Sequence, residues 1–129
     1  MNTTVRLMLV FMLILVAAPA YAAEASHTWK CEMEGDTTEE EVIAMAQGWL
    51  KVAKAIKGGE RLKASVHFPV AVNAIGEIDF FFVVVAPSFE EWGRFWDSYG
   101  GSQAAAIEEE HNDKIICPDS AVWESFKVQ

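Results

Sequence analysis

The sequence predicts an α+β domain in which helices cover one face of an antiparallel sheet. Three observations carry that expectation. Segments of alternating hydrophobicity and segments with three- and four-residue apolar spacing succeed one another in the order β-α-β-β-α-β. The stretch from Phe80 to Ala86, FFFVVVA, is apolar at both parities, as a strand covered on both faces would be. Two cysteines, Cys31 and Cys117, lie near the two ends of the chain once an apolar leader is set aside.

The first 22 residues read as an address. Arg6 precedes an uncharged apolar run from Leu7 to Ala18, and Pro19 is followed by the small-residue pattern Ala20-Tyr21-Ala22. That is the layout of a secretory signal peptide cleaved after Ala22. The rival reading is a membrane anchor, but a spanning helix needs roughly 20 apolar residues and this run is shorter. Residues 1–22 are therefore expected to be a signal and 23–129 one exported domain, periplasmic or secreted, with no membrane attachment after cleavage.

A domain of 107 residues supports one core and buries about two-thirds of the surface its unfolded chain exposes. Arg6 is the only charged residue of the leader, so the remainder carries nine basic and all 19 acidic side chains, a net charge of −10. Such a field repels nucleic acid and anionic membrane surfaces and permits cations or basic partners. Its plainest effect is solubility. Two cysteines in an exported chain are expected to pair, and CxxC spacing, with the redox and zinc-ribbon readings it brings, is absent. Two buried free thiols are the alternative.

Each element has its own signal. In SHTWKCEM, from Ser26, Trp29, Cys31 and Met33 alternate with Thr28, Lys30 and Glu32, a first strand. The stretch from Asp36 to Gly59 offers Asp36, Thr37 and Thr38 as caps with glutamates three residues on. Val42, Met45, Ala46, Trp49, Ala53 and Ile56 recur on one face, and Gly58-Gly59 can stop the helix. The segment from Arg61 to Asn73 alternates throughout, with Leu62, Ala64, Val66, Phe68, Val70 and Val72 on one side; Pro69 suits only an edge strand or a bulge. A turn at Asn73-Ala74-Ile75-Gly76 leads to the doubly apolar strand. Ser88 with Glu91 starts a second helix bearing Trp92, Phe95, Trp96 and Tyr99, which Gly100-Gly101 interrupts. A short helix in SQAAAIEEEHN and a last strand, AVWESFKV, complete the chain.

This order, with FFFVVVAPSFEEW followed by a late strand, resembles the ferredoxin-like fold of the dimeric α/β-barrel superfamily, including its antibiotic-biosynthesis-monooxygenase-like and NIPSNAP-like domains. The resemblance implies the strand order 4-1-3-2, which sets the first strand beside the fourth and so brings Cys31 toward Cys117. It also implies a homodimer: helices cover one face of the sheet, and a second copy covers the other. A pocket between each sheet and its helices is implied as well. The cysteine pair and the Gly100-Gly101 break have no counterpart in the family pattern.

Candidate site residues each have a plainer reading beside the chemical one. His67, on the polar-leaning face of its strand and looking toward Phe81 and Val83, can act as an acid or base, or simply face solvent beside Lys63 and Ser65. Trp92, Phe95, Trp96 and Tyr99 can wall a flat ligand, with Asp97 next to that face, or pack the core, as aromatic stripes commonly do. Asp79 is a raised-pKa acid if buried and a solvated carboxylate if it sits at the strand's start. Glu108 and His111 have E-x-x-H spacing without the second pair a di-metal site needs, which favours a solvated helix end and no metal. No cofactor motif is present, and no nucleophile elbow or phosphate loop. The expectation is a homodimeric domain whose pocket candidates are His67, Asp79, Phe81, Trp92 and Trp96, binding a small apolar molecule. The alternative is an enzyme similar to the cofactor-independent monooxygenases of the superfamily, acting on a hydrophobic substrate.

Overall fold

Thr38 fixes the start of the first helix: its hydroxyl accepts from the Glu41 amide at 3.3 Å while the Glu41 carboxylate accepts from the Thr38 amide at 2.9 Å. The computed structural model in which this cap is seen describes residues 23–71 and 78–128. The export signal expected in residues 1–22, and the turn expected at 73–76 together with Val72, lie outside the described residues.

Seven elements run in order: β1 (Glu24–Met33), α1 (Glu39–Ala53), β2 (Lys63–His67), β3 (Phe80–Ala86), α2 (Phe89–Asp97), α3 (Gln103–Glu110) and β4 (Ile115–Ser125). The sheet is antiparallel with order β2-β3-β1-β4. It is the ferredoxin-like α+β arrangement, with β2 and β4 at the edges and the doubly apolar β3 inside.

One face of this sheet carries the core. Ala25 and Cys31 of β1 and Phe80, Val84 and Ala86 of β3 are buried there against Val42, Ala46, Trp49 and Ala53 of α1 and Phe95 of α2. Residues of the other parity form the second face: Ser26 and Thr28 pair with Val85 and Val83, which pair with Lys63 and Ser65, while Lys30 and His67 flank Phe81. Trp123 of β4, opposite Ser26, belongs to this face and is 58% exposed.

Several boundaries differ from the sequence expectation. α1 ends at Ala53, and turns carry the chain to Gly58-Gly59. Those glycines serve close approach: Gly58 has φ +87 and a Cβ there would lie 2.6 Å from the Phe95 nitrogen, and one on Gly59 would lie 2.0 Å from the Ala53 carbonyl oxygen. β2 pairs only from Lys63 to His67, because Pro69 has no N–H for the ladder; Phe68 still packs on Phe80 at 5.6 Å between centroids, but Val70 is 99% exposed. β4 begins at Ile115, six residues before the alternation that announced it, since an edge strand tolerates Pro118. Cys117 is thus inside β4, at a register shift opposite Lys30 to Glu32, and it is bonded to Cys31 with the Cα atoms 4.1 Å apart.

Among the described residues, no helix is long and apolar enough to cross a membrane.

Candidate functional site

The helix-covered face bears more aromatic surface than its core consumes. Alternation along β1 turns His27 and Trp29 toward the helices, and the register sets Trp29 opposite Phe82. Trp49 comes from the buried stripe of α1, Trp96 from α2, and Tyr99 from the turn after α2. α3 packs against α1 and adds Ile107 and Glu108, and its C-cap, His111, closes that side. These groups, with Met45, Asn112 and the first residues of β4 through Cys117, wall a mostly apolar cavity of about 470 Å³.

Five of its rings form a closed circuit of neighbours. Trp29 lies 5.7 Å from Phe82, Phe82 5.3 Å from Trp49, Trp49 6.4 Å from Tyr99, Tyr99 4.6 Å from Trp96 and Trp96 5.8 Å from Trp29. Every pair is tilted, with interplanar angles from 33° to 87°, so no ring of the circuit is covered by stacking on another member. Polar groups join at one edge. The Trp49 indole donates to the Tyr99 hydroxyl at 3.0 Å, and that hydroxyl donates to the Glu108 carboxylate at 2.5 Å. Burial, and then the bond to Glu108, raise the Tyr99 pKa and keep the phenol protonated.

His27 stacks on Trp29 at 3.6 Å and lies 5.9 Å from Trp92 and 5.5 Å from Trp96. Burial brings its pKa down to about 4, so the imidazole is neutral at physiological pH. Its Nδ1, and the indole nitrogens of Trp92 and Trp96, are buried without a hydrogen-bond partner among the described residues. An unpaired buried polar atom costs about 1–3 kcal/mol, and a ligand atom or a water that meets it recovers that loss.

The residues singled out from sequence are not brought together. Trp96 lines the cavity, and Trp92 stands behind it, 6.5 Å away and next to His27. His67 and Phe81 pair on the opposite face of the sheet, where the His67 Nε2 lies 2.8 Å from the Ser65 hydroxyl oxygen. Asp79 is exposed just before β3, where its Oδ2 accepts from the Met33 amide at 2.7 Å and its own amide donates to the Cys31 carbonyl, adding a rung to the ladder. Glu108 and His111 both line the cavity at the end of α3: Glu108 is solvent-exposed, as the helix-end reading expects, and accepts from Tyr99, while the Ile107 carbonyl oxygen lies 2.8 Å from the Nδ1 of the half-buried His111. His27 and Trp49 are site residues that the sequence reading does not single out. The available signal for His27 is its shared parity with Trp29, two residues on in the same strand.

Among the described residues, no group of three or more His, Cys, Asp or Glu side chains is placed to hold a metal ion. No protein-family model matches the chain, and no curated protein sequence matches it. Among solved structures it is similar to the crystal structure of a dimeric ferredoxin-like protein of unknown function from Thermobifida fusca YX, with a TM-score of 0.50 and 16% identity over 82% of this chain and 92% of that one.

Proposed function

We propose that this chain is an exported, homodimeric ferredoxin-like domain that binds a small, largely apolar molecule between its sheet and its helices. The observation that carries the reading is the cavity of about 470 Å³ with its circuit of five tilted rings, a size and lining in the range of small-molecule sites. The unpartnered nitrogens of His27 and Trp96, both of which line the cavity, suit a ligand that adds one or two polar atoms to an apolar body.

Pairing of two copies is supported by the face that the helices leave bare. Phe81, Val83, Val85 and Trp123 share it, and a second sheet would remove them from water. The ferredoxin-like protein to which the chain is similar is itself dimeric. Export is supported by the apolar leader and by the Cys31–Cys117 bond, which persists in oxidising compartments.

Native mass spectrometry of the protein purified from its own host tests the whole reading. It should report twice the mass of a disulfide-closed chain lacking residues 1–22, with a small molecule retained. A bare monomer at high concentration overturns it. A second reading, an enzyme similar to the cofactor-independent monooxygenases, draws support from His27, a neutral imidazole next to the cavity's rings. His27→Gln separates the two: ligand affinity within a few-fold of the parent fits a binding domain, whereas turnover lost by orders of magnitude fits an enzyme.

A further inference from the structure

The walls of the cavity discriminate by charge as well as by polarity. Among the described residues that line it there is no Lys or Arg, and the one carboxylate, Glu108, is held at the ring circuit by the Tyr99 hydroxyl. Five aromatic rings, those of Trp29, Trp49, Phe82, Trp96 and Tyr99, line the cavity, and ring faces carry the negative part of the aromatic quadrupole. Trp29 gives one face to His27, whose stacked imidazole adds no positive charge of its own when neutral. The chain as a whole carries a net charge of −9, so the surrounding field has the same sign as the site. An anion would be repelled by Glu108, the ring faces and the overall field, and a neutral apolar molecule would gain only from burial.

We infer that the cavity selects a small organic cation, a quaternary or protonated tertiary ammonium with apolar substituents, seated among Trp29, Trp49, Phe82, Trp96 and Tyr99 with Glu108 as counter-ion. The inference rests on the cavity being the ligand site and adds the chemical class of what enters it. Cation–π attraction and the carboxylate act together on one charged centre, while the same rings hold the apolar remainder.

Phenyltrimethylammonium and its neutral isostere tert-butylbenzene have nearly the same shape and differ in charge. Their binding to the protein purified from its own host, followed by tryptophan fluorescence at low salt and at pH 8, where an unperturbed imidazole is neutral, tests the inference. The ammonium should bind at least about tenfold more tightly. Glu108→Gln should cost the ammonium roughly three- to tenfold in affinity and leave tert-butylbenzene within about twofold. Glu110→Gln, an exposed change at the end of the same helix and away from the cavity wall, should move neither.

Equal affinity for the two probes overturns the cation inference and leaves the apolar-ligand reading standing. An equal loss in the Glu108 and Glu110 variants also overturns it, since the preference would then belong to bulk charge. Binding of neither probe removes the inference together with the reading beneath it.

Discussion

The phenolic hydroxyl of Tyr99 donates to the Glu108 carboxylate at 2.5 Å, and this one contact joins the turn after α2 to the outer edge of α3. Because the same oxygen accepts from the Trp49 indole at 3.0 Å, three helical segments meet on a single phenol. Tyr99→Phe would leave the Trp49 N–H without its acceptor and free α3 from its tie. The expected loss is about 1–3 kcal/mol, read as a lower denaturant midpoint at unchanged slope. Glu108→Gln keeps an acceptor for the phenol and should cost less than Tyr99→Phe.

His27 makes acid stability a second test. Its ordinary value is 6.5 and its folded value about 4, so between those pH values the unfolded chain takes up a proton that the folded chain refuses. Stability should therefore be level above pH 6.5, fall as the pH drops toward 4, and lose nothing further from this group below that. The ring is only partly enclosed, so a discounted figure of about 1–2 kcal/mol is expected across the window. His27→Gln removes this component. The difference between parent and variant, measured by chemical unfolding at several pH values, isolates it from the carboxylates that titrate nearby. A parallel pH dependence in the two proteins would show that His27 is not the source.

Element order was legible because each signal is local. Thr38 with Glu41 and Ser88 with Glu91 announce their helices within four residues, and FFFVVVA announces a strand that lies inside the sheet. The cavity was not legible, because it is made by side chains from six elements whose meeting depends on register and helix position. Trp96 was visible as part of a stripe, but nothing in the stripe says which ring faces a void and which, like Phe95, is fully buried. His67 stands out by its type, yet strand parity sends it to the face opposite Trp29 and Phe82. Glu108 is exposed like the two glutamates that follow it, and only the fold brings Tyr99, nine residues earlier, against it. The early start of β4 is hidden for the opposite reason: Pro118 is a local signal against a strand, and a pairing partner with a register shift outweighs it.

The Cys31–Cys117 bond gives the last prediction. It closes a separation of 86 residues, and the loop-entropy model assigns such a closure about 4–5 kcal/mol, an upper figure. Cys31 is fully buried whereas Cys117 is exposed and lines the cavity, so the bond holds β4 against β1 at the register shift and fixes one wall of the site. Reduction of the parent and replacement of both cysteines by Ala should each lower the unfolding midpoint by a similar amount. A reductant should leave the double variant unmoved, which separates loss of the bond from any other action of the reagent. Ligand retention should weaken alongside stability, since the wall at Ile115 to Cys117 loses its anchor. An unchanged midpoint on reduction, with free thiols confirmed by mass, would remove the disulfide from the account of what holds this domain closed.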